Sequence, residues 1–148
     1  MTVRPDLVAG VTVPYRVRFD ECGADGIVRT SSLLRYAQDV AWVHSEQLGF
    51  DREWYTSRGL AWVVRAAELG ILQSVPLGMT LSVSTRITGF RKVWARRRTE
   101  GRDETGVPVT GARNTRWSVP ITPSRSEAAG HGMTRFLRLP PGNMPKAC

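Results

Sequence analysis

The sequence has little of the side-chain chemistry from which metal centres and disulfide frameworks are built. It contains two cysteines, Cys22 and Cys148, and two histidines in 148 residues. The cysteines match no metal-ligand spacing, and Cys148 ends the chain, so a reduced thiol at Cys22 is favoured over a disulfide. We therefore expect no metal site and no cofactor.

Long apolar runs are also missing. No stretch approaches the roughly 20 residues that cross a bilayer. The first residues, MTVRPDLVAGVTV, lack the basic start and apolar core of a secretory signal. We expect a cytoplasmic protein with no membrane association. The length and the 41% hydrophobic content fit one globular domain.

Acidic residues are outnumbered, and the formal net charge is +8. A basic chain favours anionic partners, but no helix-turn-helix, zinc or RNA-binding motif is present, so we expect no specific nucleic-acid binding. The charge is concentrated in RKVWARRR, residues 91–98. This segment is either a solvated strand edge or a phosphate-binding set that includes Arg91, Lys92 and Arg96.

A strand, an acidic turn and a helix follow one another near the N-terminus. Apolar residues occupy every second position of the strand, the period of one buried face: Val11, Val13, Tyr15, Val17 and Phe19. The turn gathers Asp20, Glu21 and Asp25 between glycines. The helix is predicted over Ser31–Leu48, with its stripe at helical spacing: Leu33, Ala37, Ala41, His44 and Leu48. Gly49 is a natural stop.

The rest of the chain predicts mainly strands. Asp51 caps a short helix, and about four antiparallel strands follow, with turns at SVPLG, Gly89 and GRDETGVP. One long helix that must bury its stripe on an antiparallel sheet is an α+β arrangement. We expect a single domain over residues 1–119 and an irregular Pro/Gly-rich tail over 120–148.

Three side chains are candidates for catalysis: Glu21, Asp25 and His44. Glu21 follows Phe19 by two, so it points inward if the strand continues, and a buried carboxylate suits a general base. Asp25 precedes Gly26, so it is either catalytic or an ordinary turn residue. His44 is either a base at the end of a tunnel or a core histidine bonded to a main-chain carbonyl. The amides of Gly26, Ile27 and Val28 are near the helix start and could polarise a carbonyl.

The series VRFDECGADGIVRTSSLLRYAQDVAWVHSEQLG, LAWVVRAAEL and VPLGMTLSVSTRITGFRKVWARRR resembles hotdog-fold thioesterases, closest to the N-terminal unit of the acyl-acyl-carrier-protein thioesterases. The resemblance implies a curved antiparallel sheet wrapped around the helix, a homodimer, and an acyl pocket beside the helix. Residues we expect at that pocket are Leu34, Gln38, Ala41 and Trp62. The basic segment could then hold the phosphates of coenzyme A or of a phosphopantetheine arm, or it could attract an acidic carrier protein.

The turn DECGADGIV also resembles that of hydroxybenzoyl-CoA thioesterases, whose catalytic aspartate falls on Gly23. The Asp, Asn and His positions of the two-unit family fall on Gly23, Asp25 and Ile27, which leaves Asp25 as the useful side chain. The resemblance implies hydrolysis of a fatty acyl thioester, with water activated by a carboxylate near the turn. The alternative is a non-hydrolytic protein that binds acyl-CoA or acyl-carrier thioesters.

Overall fold

The computed structural model describes residues 9–61, 63–91 and 94–118. The predicted tail, 120–148, and Trp62 lie outside these ranges. The elements in chain order are β1 (Val11–Arg16), a 3-10 turn (Phe19–Glu21), α1 (Thr30–Gln47), α2 (Arg52–Thr56), β2 (Val63–Ala66), β3 (Leu69–Ile71), β4 (Thr80–Arg91), β5 (Trp94–Arg102) and β6 (Pro108–Ser118).

The six strands form one antiparallel sheet in the order β1-β4-β5-β6-β2, and β3 also pairs with β6. In the register of β1 and β4, Val13 lies opposite Val83 and Tyr15 opposite Leu81. The helix α1 packs on β1 and β4. The predicted α+β arrangement of one long helix on an antiparallel sheet is therefore confirmed.

The core forms where α1 meets the sheet. The helix buries Leu33, Tyr36 and Val40 at helical spacing, and the sheet supplies Leu81 and Val83. Each large side chain removed from water in this way stabilises the fold by about 1.5–3 kcal/mol. Further members of the same cluster are Val17, Cys22, Val28, Val75 and Val109.

Two local predictions were wrong. The strand β1 ends at Arg16, and Phe19 lies in the 3-10 turn with 83% of its surface exposed, so it is not part of the buried face. Gly89 is not a turn, because β4 continues through it to Arg91 with a register shift between Ile87 and Gly89. A glycine inside a strand commonly marks such a bulge.

A second apolar cluster lies at the C-terminal end of α1. Gly49 adopts φ 86°, a conformation that favours glycine, and ends the helix. The Asp51 carboxylate then accepts a hydrogen bond of 2.8 Å from the N–H of Trp54 and caps α2, as predicted. Phe50 and Tyr55 are buried in this cluster, together with the partly buried Trp42, Leu48, Trp54 and Leu60. These residues place α2 against α1 and shape one wall of a cavity.

Candidate functional site

Glu21 ties the acidic turn to the start of α1. It is 7% exposed, and its Oε2 accepts hydrogen bonds from the Arg18 N–H at 2.9 Å and from the Tyr36 hydroxyl. The Arg18 Nε lies 3.5 Å from Oε1. The main-chain oxygen of Glu21 accepts from the Arg29 N–H at 2.9 Å and from the Ser32 hydroxyl at 3.3 Å. Every oxygen of the residue is therefore engaged in holding the turn.

Glu21 points inward for a different reason from the one predicted. The strand does not persist to position 21, and the 3-10 turn exposes Phe19 while it buries Glu21. The pKa of Tyr36 is raised by burial and by its hydrogen bond to Glu21. The phenol is therefore a neutral donor to a carboxylate acceptor.

Asp25 lies exposed at the tip of the turn. Its Oδ1 accepts a hydrogen bond of 3.0 Å from the Ile27 N–H, as in an Asx turn, and Gly26 follows with φ 73°. The same Oδ1 lies 3.0 Å from the point where a Cβ on Gly23 would stand. The Asp25 carboxylate thus lies beside the place that a side chain at position 23 would enter.

The three amides named from the sequence all donate within the protein. The acceptors for Gly26, Ile27 and Val28 are the Gly23 carbonyl at 3.0 Å, the Asp25 carboxylate at 3.0 Å and the Val75 carbonyl at 2.9 Å.

The N–H groups of Thr30 and Ser31 differ from those of the turn. Both residues are exposed in the first turn of α1, where intrahelical acceptors are absent. Within the described ranges neither N–H has a main-chain acceptor. They are the donors at the helix start that a ligand could reach.

His44 is buried, as expected of a core histidine, but its hydrogen-bond partner is an arginine and not a main-chain carbonyl. Its Nδ1 lies 2.9 Å from a guanidinium nitrogen of Arg97. Arginine can only donate, so Nδ1 accepts and the neutral ring carries its proton on Nε2. Burial first, and then the charge of Arg97, lower the pKa of His44 to about 4. Burial also lowers the pKa of Arg97 to about 10.

Glu21 and His44 do not form one catalytic pair. Glu21 contacts α1 at Tyr36, and His44 follows eight residues later on the same helix. At 1.5 Å per residue this is about 12 Å along the helix axis. The turn and the histidine therefore belong to two separate places on α1.

A cavity of about 360 Å³ lies between α1, α2, β4 and β5. Its wall is formed by Gln38, Ala41, Trp42, Ser45, Leu48, Phe50, Arg52, Tyr55, Thr56, Leu60, Ala61, Ile87, Ala95 and Arg97. Of the predicted pocket residues, Gln38 and Ala41 line it. Leu34 is half-buried and does not line it, and Trp62 lies outside the described residues.

The structure describes only part of the predicted basic set. The main chain of Arg91 ends β4, Lys92 lies outside the described ranges, and Arg96 is half-buried in β5. A different pair, Arg86 and Arg98, is exposed, and the two lie directly opposite each other across β4 and β5. The sequence could have placed Arg98 on the strand face opposite Arg97, because side chains alternate along a strand. It could not have predicted that Arg98 lies opposite Arg86, because that depends on the register between β4 and β5.

Within residues 9–61, 63–91 and 94–118, no group of His, Cys, Asp or Glu side chains is arranged to hold a metal ion. In the same part of the chain no helix has both the length and the apolarity to cross a bilayer.

Comparison with known proteins points to one family. A family model described as the acyl-ACP thioesterase N-terminal domain matches residues 11–117. Among solved structures, an acyl-ACP thioesterase from Bacteroides thetaiotaomicron is 16% identical, covers 80% of this chain and 49% of its own, and gives a TM-score of 0.71. The 12:0-ACP thioesterase from Umbellularia californica is 21% identical, with 86% and 49% covered and a TM-score of 0.71.

A structure that this chain covers over most of its length shares the same fold. The DHNA-CoA thioesterase from Staphylococcus aureus is 13% identical, covers 87% of this chain and 84% of its own, and gives a TM-score of 0.75. At these identities the structures establish the hotdog fold. The chain spans about half the length of the acyl-ACP thioesterase structures. None of the curated proteins matches the sequence.

Proposed function

Because the chain belongs to the acyl-ACP thioesterase family through its match over residues 11–117, we propose that it hydrolyses acyl thioesters carried on acyl carrier protein or coenzyme A. The two carriers are those named for the acyl-ACP and DHNA-CoA thioesterases of the same fold. Cytoplasmic location and assembly as a homodimer, both expected from the sequence, are parts of this proposal.

The observation that carries the proposal is the position of Asp25. Thioesterases that this turn resembles place a catalytic aspartate where this chain has Gly23. The Asp25 carboxylate reaches to 3.0 Å from the Cβ position of Gly23, so it supplies a carboxylate beside the vacant place. In our proposal Asp25 takes a proton from water as the water oxygen bonds to the thioester carbonyl carbon, and it returns that proton to the sulfur as the C–S bond breaks, which releases the free acid and the thiol.

Glu21 acts in this proposal as a positioning residue. Its contacts with Arg18, Tyr36 and Ser32 fix the turn on α1, which holds Asp25 near the helix start. The carbonyl oxygen then meets the N–H groups of Thr30 and Ser31, aided by the positive end of the helix dipole. We prefer these donors to the three amides expected from the sequence, because Gly26 and Ile27 donate inside the turn and Val28 donates to the Val75 carbonyl.

The acyl chain occupies the cavity beside α1 in this proposal. Apolar side chains on α1, α2 and the sheet form most of its wall, among them Ala41, Leu48 and Ile87, and its volume falls in the range of small-molecule sites. Gln38 lies on the wall two turns after Thr30. A chain that begins at the helix start would run along α1 to reach it. Leu34 and Trp62 remain predicted members of this path. In this proposal His44 does not touch the acyl chain, and it orients the Arg97 side chain through their hydrogen bond.

The anionic carrier binds the basic surface of the sheet in this proposal. Arg86 and Arg98 are like charges directly opposite each other, an arrangement that costs stability unless an anion lies nearby. The predicted residues Arg91, Lys92 and Arg96 continue the same basic segment. Phosphates of coenzyme A and an acidic carrier protein both offer the required charge.

The test is a thiol-release assay over a panel of acyl-CoA and acyl-carrier substrates. We expect Asp25→Asn to lower kcat by about a hundredfold, within the range for general acid–base catalysis. The variant Gly23→Asp, Asp25→Ala relocates the carboxylate, and the backbone at Gly23 is one that other residues can adopt. It should recover part of the rate that Asp25→Ala loses. Wild-type rates in Asp25→Asn and Asp25→Ala would remove Asp25 as the base.

A non-hydrolytic acyl-binding protein is the second candidate. It is favoured by Gly23 and Ile27 at family catalytic positions and by the engagement of Asp25 Oδ1 in the turn. Binding of acyl-CoA without thiol release from any substrate of the panel would select it.

A further inference from the structure

Arg97 is a cation on the wall of an otherwise mostly apolar cavity. The side chain projects from β5, is 8% exposed and lines the space between α1 and α2. Among the described residues its hydrogen-bond partner is His44, and no described carboxylate lies within ion-pair distance. A guanidinium has five N–H donors, and a buried charge is costly unless it is paired. The cavity therefore holds a positive charge that the described chain does not neutralise.

His44 does not supply the missing charge. The neutral ring takes one N–H of Arg97 through Nδ1 and orients the guanidinium from behind, while its low pKa of about 4 keeps it uncharged.

The neighbouring hydroxyls have partners of their own. The Ser45 hydroxyl lies 3.0 Å from the Phe50 carbonyl and 2.6 Å from the Tyr55 hydroxyl. The Ser45 hydroxyl donates its proton to the Phe50 carbonyl, and the Tyr55 hydroxyl donates its proton to the Ser45 oxygen. Arg97 is therefore the group on this part of the wall that best suits an acceptor brought by a ligand.

We propose that this cavity is a binding site for an amphipathic carboxylate, whose apolar body lies among Ala41, Leu48 and Ile87 and whose carboxylate meets the Arg97 guanidinium. Arginine and carboxylate form paired, charge-assisted hydrogen bonds with two parallel contacts. The carboxylate is either that of a free fatty acid or one at the far end of an acyl group. A carboxylate at the far end of an acyl group would name a substrate class for the proposed function, and that identification rests on the proposed function. The existence of the carboxylate site does not rest on it.

Calorimetric titration with octanoate and octan-1-ol tests the site without any hydrolysis. These probes share an apolar body and differ in the charged head. We expect octanoate to bind wild-type protein about tenfold more tightly or better, as one charge-assisted pair implies. Arg97→Met should remove the preference. Arg35→Met, which removes an exposed arginine of α1 that does not line the cavity, should keep it.

Two outcomes would overturn the site: equal binding of acid and alcohol by the wild-type protein, or an undiminished preference in a folded Arg97→Met. Circular dichroism and thermal melting establish that each variant is folded. Arg97→Lys keeps the positive charge but loses the two parallel N–H donors of the guanidinium, so it should retain part of the preference for octanoate over octan-1-ol. If Arg97→Met does not fold, the wild-type and Arg97→Lys titrations decide the question.

The two sources are separated with thioesters on the Asp25→Asn protein, which retains the cavity. Tighter binding of ω-carboxyl dodecanoyl-CoA than of dodecanoyl-CoA, lost with Arg97→Met, identifies a substrate with a terminal acid. Equal binding of the two thioesters, with octanoate still preferred over octanol, identifies a free fatty acid such as the product. Both results support the carboxylate site, and neither depends on turnover.

Discussion

At the scale of single residues, the pairing of His44 with Arg97 shows what a linear sequence can and cannot predict. The helical stripe placed His44 inside, and it is 3% exposed. Its partner lies 53 residues away on β5, and the local pattern of β5 marked only alternation. Burial of a side chain follows from periodicity, whereas the partner of a buried polar group follows from packing between distant elements.

The low pKa of His44 predicts a dependence of stability on pH. The folded value of about 4 is below the ordinary 6.5, so between these values the unfolded chain binds more protons. The contribution of His44 is then fully present above pH 6.5 and is lost as pH falls toward 4, by at most about 1.4 kcal/mol per pH unit. Urea unfolding of wild type and His44→Gln should show the steeper loss in wild type.

Glutamine is the matched control because its oxygen can accept the Arg97 N–H without titrating. Parallel pH profiles for the two proteins would mean that His44 titrates alike in the folded and unfolded states.

At the scale of elements, the strand, turn and helix were predictable because each has a local signal. The helix predicted over Ser31–Leu48 is Thr30–Gln47, and its stripe and glycine stop agree. The turn was only partly predictable. Its 3-10 geometry, which exposes Phe19 and buries Glu21, depends on contacts of Glu21 with Tyr36 in the following helix. The acceptor of the Val28 N–H, the Val75 carbonyl, was not predictable either, because it comes from a distant loop.

The start of α1 offers a test of the proposed carbonyl contact. Thr30 is the first helical residue, and Arg29 before it is extended at ψ 146°, a conformation compatible with a following proline. Thr30→Pro thus deletes one exposed N–H at little cost to the helix. We expect a fall in kcat of about tenfold to a hundredfold, measured by thiol release.

Thr30→Ala keeps the N–H and removes the side chain, so it should retain the wild-type rate. A Thr30→Pro protein that melts normally and turns over at the wild-type rate would move the carbonyl contact away from Thr30.

At the scale of the whole molecule, the sheet order could not be read from the sequence, because pairing partners are set by register over long separations. β2 and β3 share the outer side of β6 and form one edge of the sheet. Along this edge Val63 and Ile71 are 47% and 50% exposed, and Leu72, next in the chain, is 64% exposed. An apolar sheet edge is a natural surface for pairing with a second copy.

We expect the protein to be a homodimer that uses this edge. Light scattering coupled to size exclusion should give twice the mass of one chain, and Ile71→Lys should shift the protein toward the monomer because charge on an edge strand opposes pairing. Leu77→Lys is the matched control, since Leu77 is 44% exposed and its N–H donates to the Gly26 carbonyl in the acidic turn, so it is not part of the β2 and β3 edge. A wild-type mass of one chain at high concentration would refute the dimer.

Cys22 is packed in the core beside Glu21, so the chemical reactivity of its thiol reports on the opening of the acidic turn. Its thiol is 6% exposed and donates to the Arg18 carbonyl at 3.4 Å, so an alkylating reagent reaches it only when the turn opens. The rate of maleimide labelling at Cys22, read by peptide mapping, is thus a clock for that opening. A compound bound on the turn would lower the labelling rate at Cys22, and a compound confined to the cavity near Arg97 would leave that rate unchanged.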